Sequence, residues 1–145
     1  MSEAITKSTI GVSEGEVFRR LRADLGVSSF GINQMALQPG QRGRIHAHTG
    51  QEEVYLVLEG TLTLIVDGTV HELKAGAVAR VAPEARRQLV NRHRVPVSLL
   101  ALGGMVAHEH QGRDGIAFVD WDGPSTGSPQ ESPAPEPLPE SELLD

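Results

Sequence analysis

Short alternating segments, broken by turn residues at intervals of roughly ten positions, restrict this chain more than any other feature. Thr61 to Val66 sets Leu62, Leu64 and Val66 on one face, the period of two of a half-buried strand. Asp67-Gly68 follows, the signal for a two-residue type I′ hairpin turn, and Thr69 to Leu73 returns. Glu53 to Leu58, Ala77 to Val81, Gln88 to Val90 and Val95 to Leu102 continue the series, and Ser29 to Leu37 precedes it, closed by Pro39-Gly40. The pattern predicts an all-β barrel or sandwich. One short helix is expected near the start: Ser13 and Glu16 have capping-box spacing, and Val17, Phe18, Leu21 and Leu25 recur at helical intervals before Gly26. An extended strap over residues 1–27 is the alternative.

At 145 residues the chain is the size of one domain, and 39% apolar with 22% charged residues suits a globular protein. The longest nearly apolar stretch, Ser98 to Ala107, is about half of a membrane span, so no membrane partner is expected. The acidic start, Met1-Ser2-Glu3, has no apolar run behind it; with no signal peptide in view, cytoplasm is the default. No cysteine is present, which removes disulfides, zinc ribbons and thiol nucleophiles. Of the formal net charge of −6, most lies in residues 123–145, which hold five acidic and no basic side chains. A nearly neutral body gives no electrostatic reason to expect nucleic acid. Only five aromatics are present, too few for a base-stacking platform. The same segment holds six of the nine prolines, interleaved with Ser and Glu, and is expected to be a flexible or polyproline-like tail after a barrel at 28–122.

His46 and His48 carry the chemistry. On a strand, residues two apart point the same way, so both imidazoles would enter one cavity and could chelate one ion. A His-x-His pair alone is weak, expected by chance about once in four such chains; His108 and His110 form a second copy, read as ordinary loop histidines. The first copy has a frame: Gly40, five residues, His46, one residue, His48, four residues, Glu53, six residues, Gly60.

That frame resembles the first signature motif of the cupin superfamily, small double-stranded β-helix barrels of the jelly-roll type, and the resemblance covers about residues 29 to 105. A second motif is similar at its ends, Gly76 and Asn91, and departs between them. Ala82 stands where the family has proline, Glu84 where it has glycine, and Arg87 where it has the histidine that is the fourth metal ligand. A guanidinium has no lone pair to give a metal. The resemblance therefore implies a divalent ion (Fe, Mn, Zn or Ni) on His46, His48 and Glu53. Arg87 then has two readings: an anion clamp beside the open coordination sites, or a partner of Glu53 across a cavity that holds metal weakly or not at all. Glu52 is a secondary ligand candidate, and Gln51 is expected to cap the turn. Tyr55 shares the inward face of Glu53 and is a substrate-orienting candidate, with a core tyrosine as the plain alternative. Phe30, Met35, Leu62, Leu64 and Val78 read as barrel filling, and His71 and His93 as exposed.

The resemblance implies a metal-dependent enzyme acting on a small anionic metabolite, either activating dioxygen or polarising an enolisable carbonyl as a Lewis acid. Catalytic candidates are Tyr55 and Arg87, and no dedicated general base stands out. A sugar epimerase is disfavoured because no adjacent histidine acid–base pair is present. A metal-free module that senses an anion through Arg87 is the alternative; storage use is disfavoured by the chain's short length. The resemblance also implies a homodimer, for which Leu21, Leu25 and Val27 offer apolar surface.

Overall fold

The computed structural model describes residues 4–105 and 114–145; His108 and His110 lie outside the described residues. Eleven strands run in the order β1 (Phe18–Arg19), β2 (Gly31–Leu37), β3 (Ile45–His48), β4 (Glu52–Glu59), β5 (Thr61–Val66), β6 (Thr69–Lys74), β7 (Val78–Val81), β8 (Arg87–Val90), β9 (Val97–Gly104), β10 (Gly115–Phe118) and β11 (Ser125–Gly127). A five-residue helix α1 (Leu21–Leu25) and a 3₁₀ turn at Glu140–Glu142 complete them. One sheet has the order β1-β2-β9-β4-β7 and the other β11-β10-β3-β8-β5-β6, with every pairing antiparallel. The fold is the expected all-β jelly roll. Among the described residues, no helix is long and apolar enough to cross a membrane.

Alternation sorts the side chains between core and surface. Leu62 and Leu64 of β5 pack with Val57, Val97 and Leu99 in the core, while the opposite face of β5 presents Thr63 to Glu72 on β6. The β5–β6 turn has Asp67 at φ 48° and Gly68 at φ 83°, the two left-handed residues that a type I′ turn requires. Gly60 shows why its motif position tolerates no side chain: its φ is 74°, and a Cβ there would stand 2.3 Å from the Pro96 carbonyl oxygen. Phe30 and Val78 are not barrel filling; they are 40% and 64% exposed.

Two expectations need correcting. The helix does not start at Ser13, because Phe18 and Arg19 pair with Met35 and Gln34 on β2, and Val17 accepts the Ala36 N–H. Ladder hydrogen bonds to a sheet edge outweigh weak local helix propensity there. The helix runs only over Leu21–Leu25 and ends at Gly26 in the left-handed conformation, φ 72°. The proline-rich segment is not a loose tail. Its β11 pairs with β10, the Leu138 N–H donates to the Gly40 carbonyl at 2.8 Å, and the Leu144 N–H donates to the Arg92 carbonyl at 2.6 Å. Nε of Arg42 and Arg44 donate to the Glu136 and Ser132 carbonyls, both at 2.7 Å. Prolines preset an extended backbone, so less entropy is lost on docking, and the exposed carbonyls of such a segment are ready acceptors.

Candidate metal centre

The two sheets supply different halves of the site. His46 and His48 project from β3, and Arg87 on β8 lies directly opposite His46 in the register. Glu53 and Tyr55 come from β4 in the facing sheet, two residues apart and on one side. One ligand atom from each of His46, His48 and Glu53 lies within 4.8 Å of the others. The imidazoles meet edge to face, with centroids 5.2 Å apart. All three residues, with Tyr55, line a cavity of about 410 Å³ inside the barrel.

Hydrogen bonds orient this donor set for an ion. Nδ1 of His46 lies 3.1 Å from the Arg44 carbonyl, which can only accept, so Nδ1 carries a proton and Nε2 is the nitrogen turned toward Glu53. Nδ1 of His48 lies 2.7 Å from Asp114 Oδ1, the carboxylate–imidazole pairing that fixes ring orientation at metal sites. Asp114 is itself held by the Gly50 and Gln51 N–H groups at 2.9 and 2.7 Å. On Glu53 the contacts converge on Oε1: His48 Nε2 at 3.0 Å, Arg87 Nη1 at 2.6 Å, the Tyr55 hydroxyl at 2.7 Å and His46 Nε2 at 3.7 Å. None of these bonds reaches Oε2, which leaves one carboxylate oxygen for a cation. Two imidazoles and one carboxylate fit a divalent transition metal.

Protonation follows from the same contacts. Burial alone would push the Glu53 carboxyl up, but its bonds to His46 and His48 outweigh that and hold it well below the usual carboxylate range. Burial pulls His48 down, yet Glu53 and then Asp114 overcome it, and the imidazole is raised. Desolvation pushes the Tyr55 phenol well up, with the Glu53 charge adding to it, so the hydroxyl stays protonated and donates. Asp114 is lowered because its backbone and His48 hydrogen bonds exceed its desolvation.

Arg87 is where the site departs most from a free anion clamp. Its side chain is 0% exposed, Nε donates to the Ala85 carbonyl, Nη1 to Glu53, and Nη2 to the Ala82 and Pro83 carbonyls. A guanidinium with its donors engaged and no accessible surface cannot take a substrate carboxylate or phosphate, so the clamp reading loses its physical basis. The pairing with Glu53 is what the structure contains. Tyr55, 1% exposed, belongs to the core and orients Glu53 through its hydroxyl. Glu52 turns outward to pair with Arg80. Gln51 is buried beside the cavity, with Oε1 unpaired among the described residues. His71 is exposed as expected, whereas His93 is half-buried against Glu72. Sequence reasoning missed Asp114, 66 positions from His48, for which no local signal exists. It also missed Arg42 and Arg44 in the cavity lining, although they extend the alternation of His46 and His48 backwards.

Comparison with known proteins agrees with the geometry. Residues 33–103 match the family model Cupin_2, a cupin domain. A sugar phosphate isomerase of the cupin superfamily from Silicibacter pomeroyi is 30% identical, with TM-score 0.60 over 71% of this chain, which spans only 65% of that one. A cupin protein from Bacteroides fragilis (21% identity, 84% of this chain and 97% of that one, TM-score 0.65) shares the fold. So does a Cupin 2 conserved barrel domain protein from Salinispora arenicola (21%, 70% and 91%, TM-score 0.59). No curated protein matches the chain. Residues 33–103 of the chain belong to the cupins, as a domain of the Cupin_2 type.

Proposed function

We propose that this cupin binds one divalent metal ion through His46, His48 and Glu53 and isomerises a small anionic metabolite. The observation that carries the reading is the convergence of three ligand atoms within 4.8 Å in the barrel cavity, two of them on imidazoles whose rings are oriented by outer hydrogen bonds. When bound, the metal would supply Lewis-acid polarisation of a carbonyl. The chain's own residues do the rest. Asp114 keeps His48 aimed, and Tyr55 and Arg87 hold Glu53 in place. Isomerisation is preferred to dioxygen chemistry because the 30% identical relative is named a sugar phosphate isomerase. A metal-free binding module is the second reading, and the Arg87–Glu53 ion pair at 2.6 Å favours it, since Glu53 is already neutralised.

Chelator-stripped, untagged protein reconstituted with Mn(II) and incubated with aldose and ketose phosphates in D₂O tests both. Metal-dependent exchange of the proton next to the carbonyl, without oxygen uptake, is the expected result. Oxygen consumption would replace isomerase with oxygenase chemistry, and unchanged proton signals with no metal uptake would favour the binding module.

A further inference from the structure

Arg42, Arg44, His46 and His48 alternate along one run of chain, and all four line the same cavity. That run continues β3 backwards along β8: the Gly43 N–H donates to the Leu89 carbonyl, and Arg42 bridges to Val90. Each two-residue step covers about 7 Å of extended chain, so the row leads from two guanidiniums to two imidazoles over roughly 20 Å. We propose that Arg42 and Arg44 form the anion-recognising end of this cavity, taking the carboxylate or phosphate of an elongated substrate whose other end sits at His46, His48 and Glu53. Only that far end rests on the metal-centred function.

Charge and geometry both support the assignment. Among the described lining residues, Arg42 and Arg44 are the arginines, no lysine is present, and Glu53 is the carboxylate. Glu53 is already paired with Arg87, which stands behind the wall. Neither lining arginine makes an ion pair among the described residues, so within that set both positive charges are uncompensated. A low-dielectric pocket focuses such a field and draws anions in. Each guanidinium is pinned by one hydrogen bond, from Nε to a carbonyl of the C-terminal segment. The Nη groups have no partner among the described residues, which leaves the edge that grips a carboxylate or phosphate. The acidic residues of that segment do not compete: the parts lining the cavity are Pro129, Gln130, Ala134, Pro135 and Pro137. The segment thus acts as a wall that orients the two arginines.

Calorimetric titration of the Mn(II)-treated full-length protein tests the subsite with ribose 5-phosphate, ribonate and uncharged ribose. Wild type is expected to bind at least one of the two charged probes about tenfold or more tightly than ribose, and which one does so identifies phosphate or carboxylate. Arg44→Gln and Arg42→Gln should each erode that preference about fivefold or more. Arg44→Lys, which keeps the charge but not the forked edge, should retain more of the preference than Arg44→Gln, and Arg92→Gln, outside the cavity, should match wild type. A His48→Ala variant separates this proposal from the metal: if it lacks metal yet still prefers the anion, the subsite stands while the metal-centred function is judged on its own. No preference for either anion in wild type, or a full preference retained by both Gln variants, overturns the proposal.

Discussion

Two clusters in this protein have almost the same composition and opposite consequences. Inside the barrel, Glu53 accepts from His48, Arg87 and Tyr55 at 3.0, 2.6 and 2.7 Å. On the outer face of the other sheet, Glu72 accepts from His93, Arg92 and Thr63 at 2.6, 2.7 and 2.7 Å. The partners of Glu72 use both oxygens, whereas those of Glu53 crowd onto Oε1. A second imidazole, His46, faces Glu53, and water reaches the charged side chains of the Glu72 cluster, with Arg92, Glu72 and His93 33%, 30% and 18% exposed. Ligand capacity therefore depends on which lone pairs the fold leaves free, and energetic weight depends on whether water can replace a lost partner.

The sharpest contrast comes from removing each arginine. Arg87→Met strands an ionised carboxylate in the interior and should lower unfolding stability by about 3–5 kcal/mol. Arg92→Met leaves Glu72 to water and should cost less than about 1 kcal/mol. Equal losses in chemical denaturation would break the comparison.

Asp114 comes next. Asp114→Asn keeps the shape but weakens the hold on His48, and metal affinity measured by competition with a chelator should drop about 10- to 100-fold with little change in melting temperature. An unchanged affinity would show that His48 needs no outer support.

The inner cluster also sets a pH window for metal-free protein. Glu53 and Asp114 are held below their ordinary values of 4.5 and 3.8, so their stabilisation is complete above those values and fades as pH falls through the lower folded ones. His48 is raised above 6.5, so its contribution is complete below that value and fades as pH rises through the folded one. Melting temperatures of chelated protein should peak between 4.5 and 6.5 and decline on both sides. A curve still climbing at pH values above 8 would contradict the assignment. The smallest effect belongs to His93→Ala, expected within about 1 kcal/mol of wild type by denaturation and with no change in metal binding.

Much of this could be read from the sequence, and the remainder has physical reasons for being hidden. Leu62 and Leu64 announce their strand because period two is a local property, and the frame of His46, His48 and Glu53 lies within twenty-one consecutive positions, 40–60. Arg87 could be placed at the ligand corner but not in its burial, since a guanidinium's partners there are carbonyls of its own turn, Ala82, Pro83 and Ala85. Val17 and Phe18 satisfy a helical spacing and a strand edge equally well; the edge of β2 decides. Composition marked residues 123–145 as unable to form a core, which is correct, yet it cannot show that Arg42 and Arg44 wait for their carbonyls. Those arginines were within reach of the same alternation that exposes the histidines.

Metal content, by mass spectrometry on untagged protein purified without chelator, goes most directly to the centre of the account. One divalent ion per chain in wild type, lost in a folded His48→Ala variant and retained in His93→Ala, is the predicted result. Wild-type protein that stays metal-free after exposure to Fe(II), Mn(II), Zn(II) and Ni(II), or a His48→Ala variant that loads as fully as wild type, would contradict it.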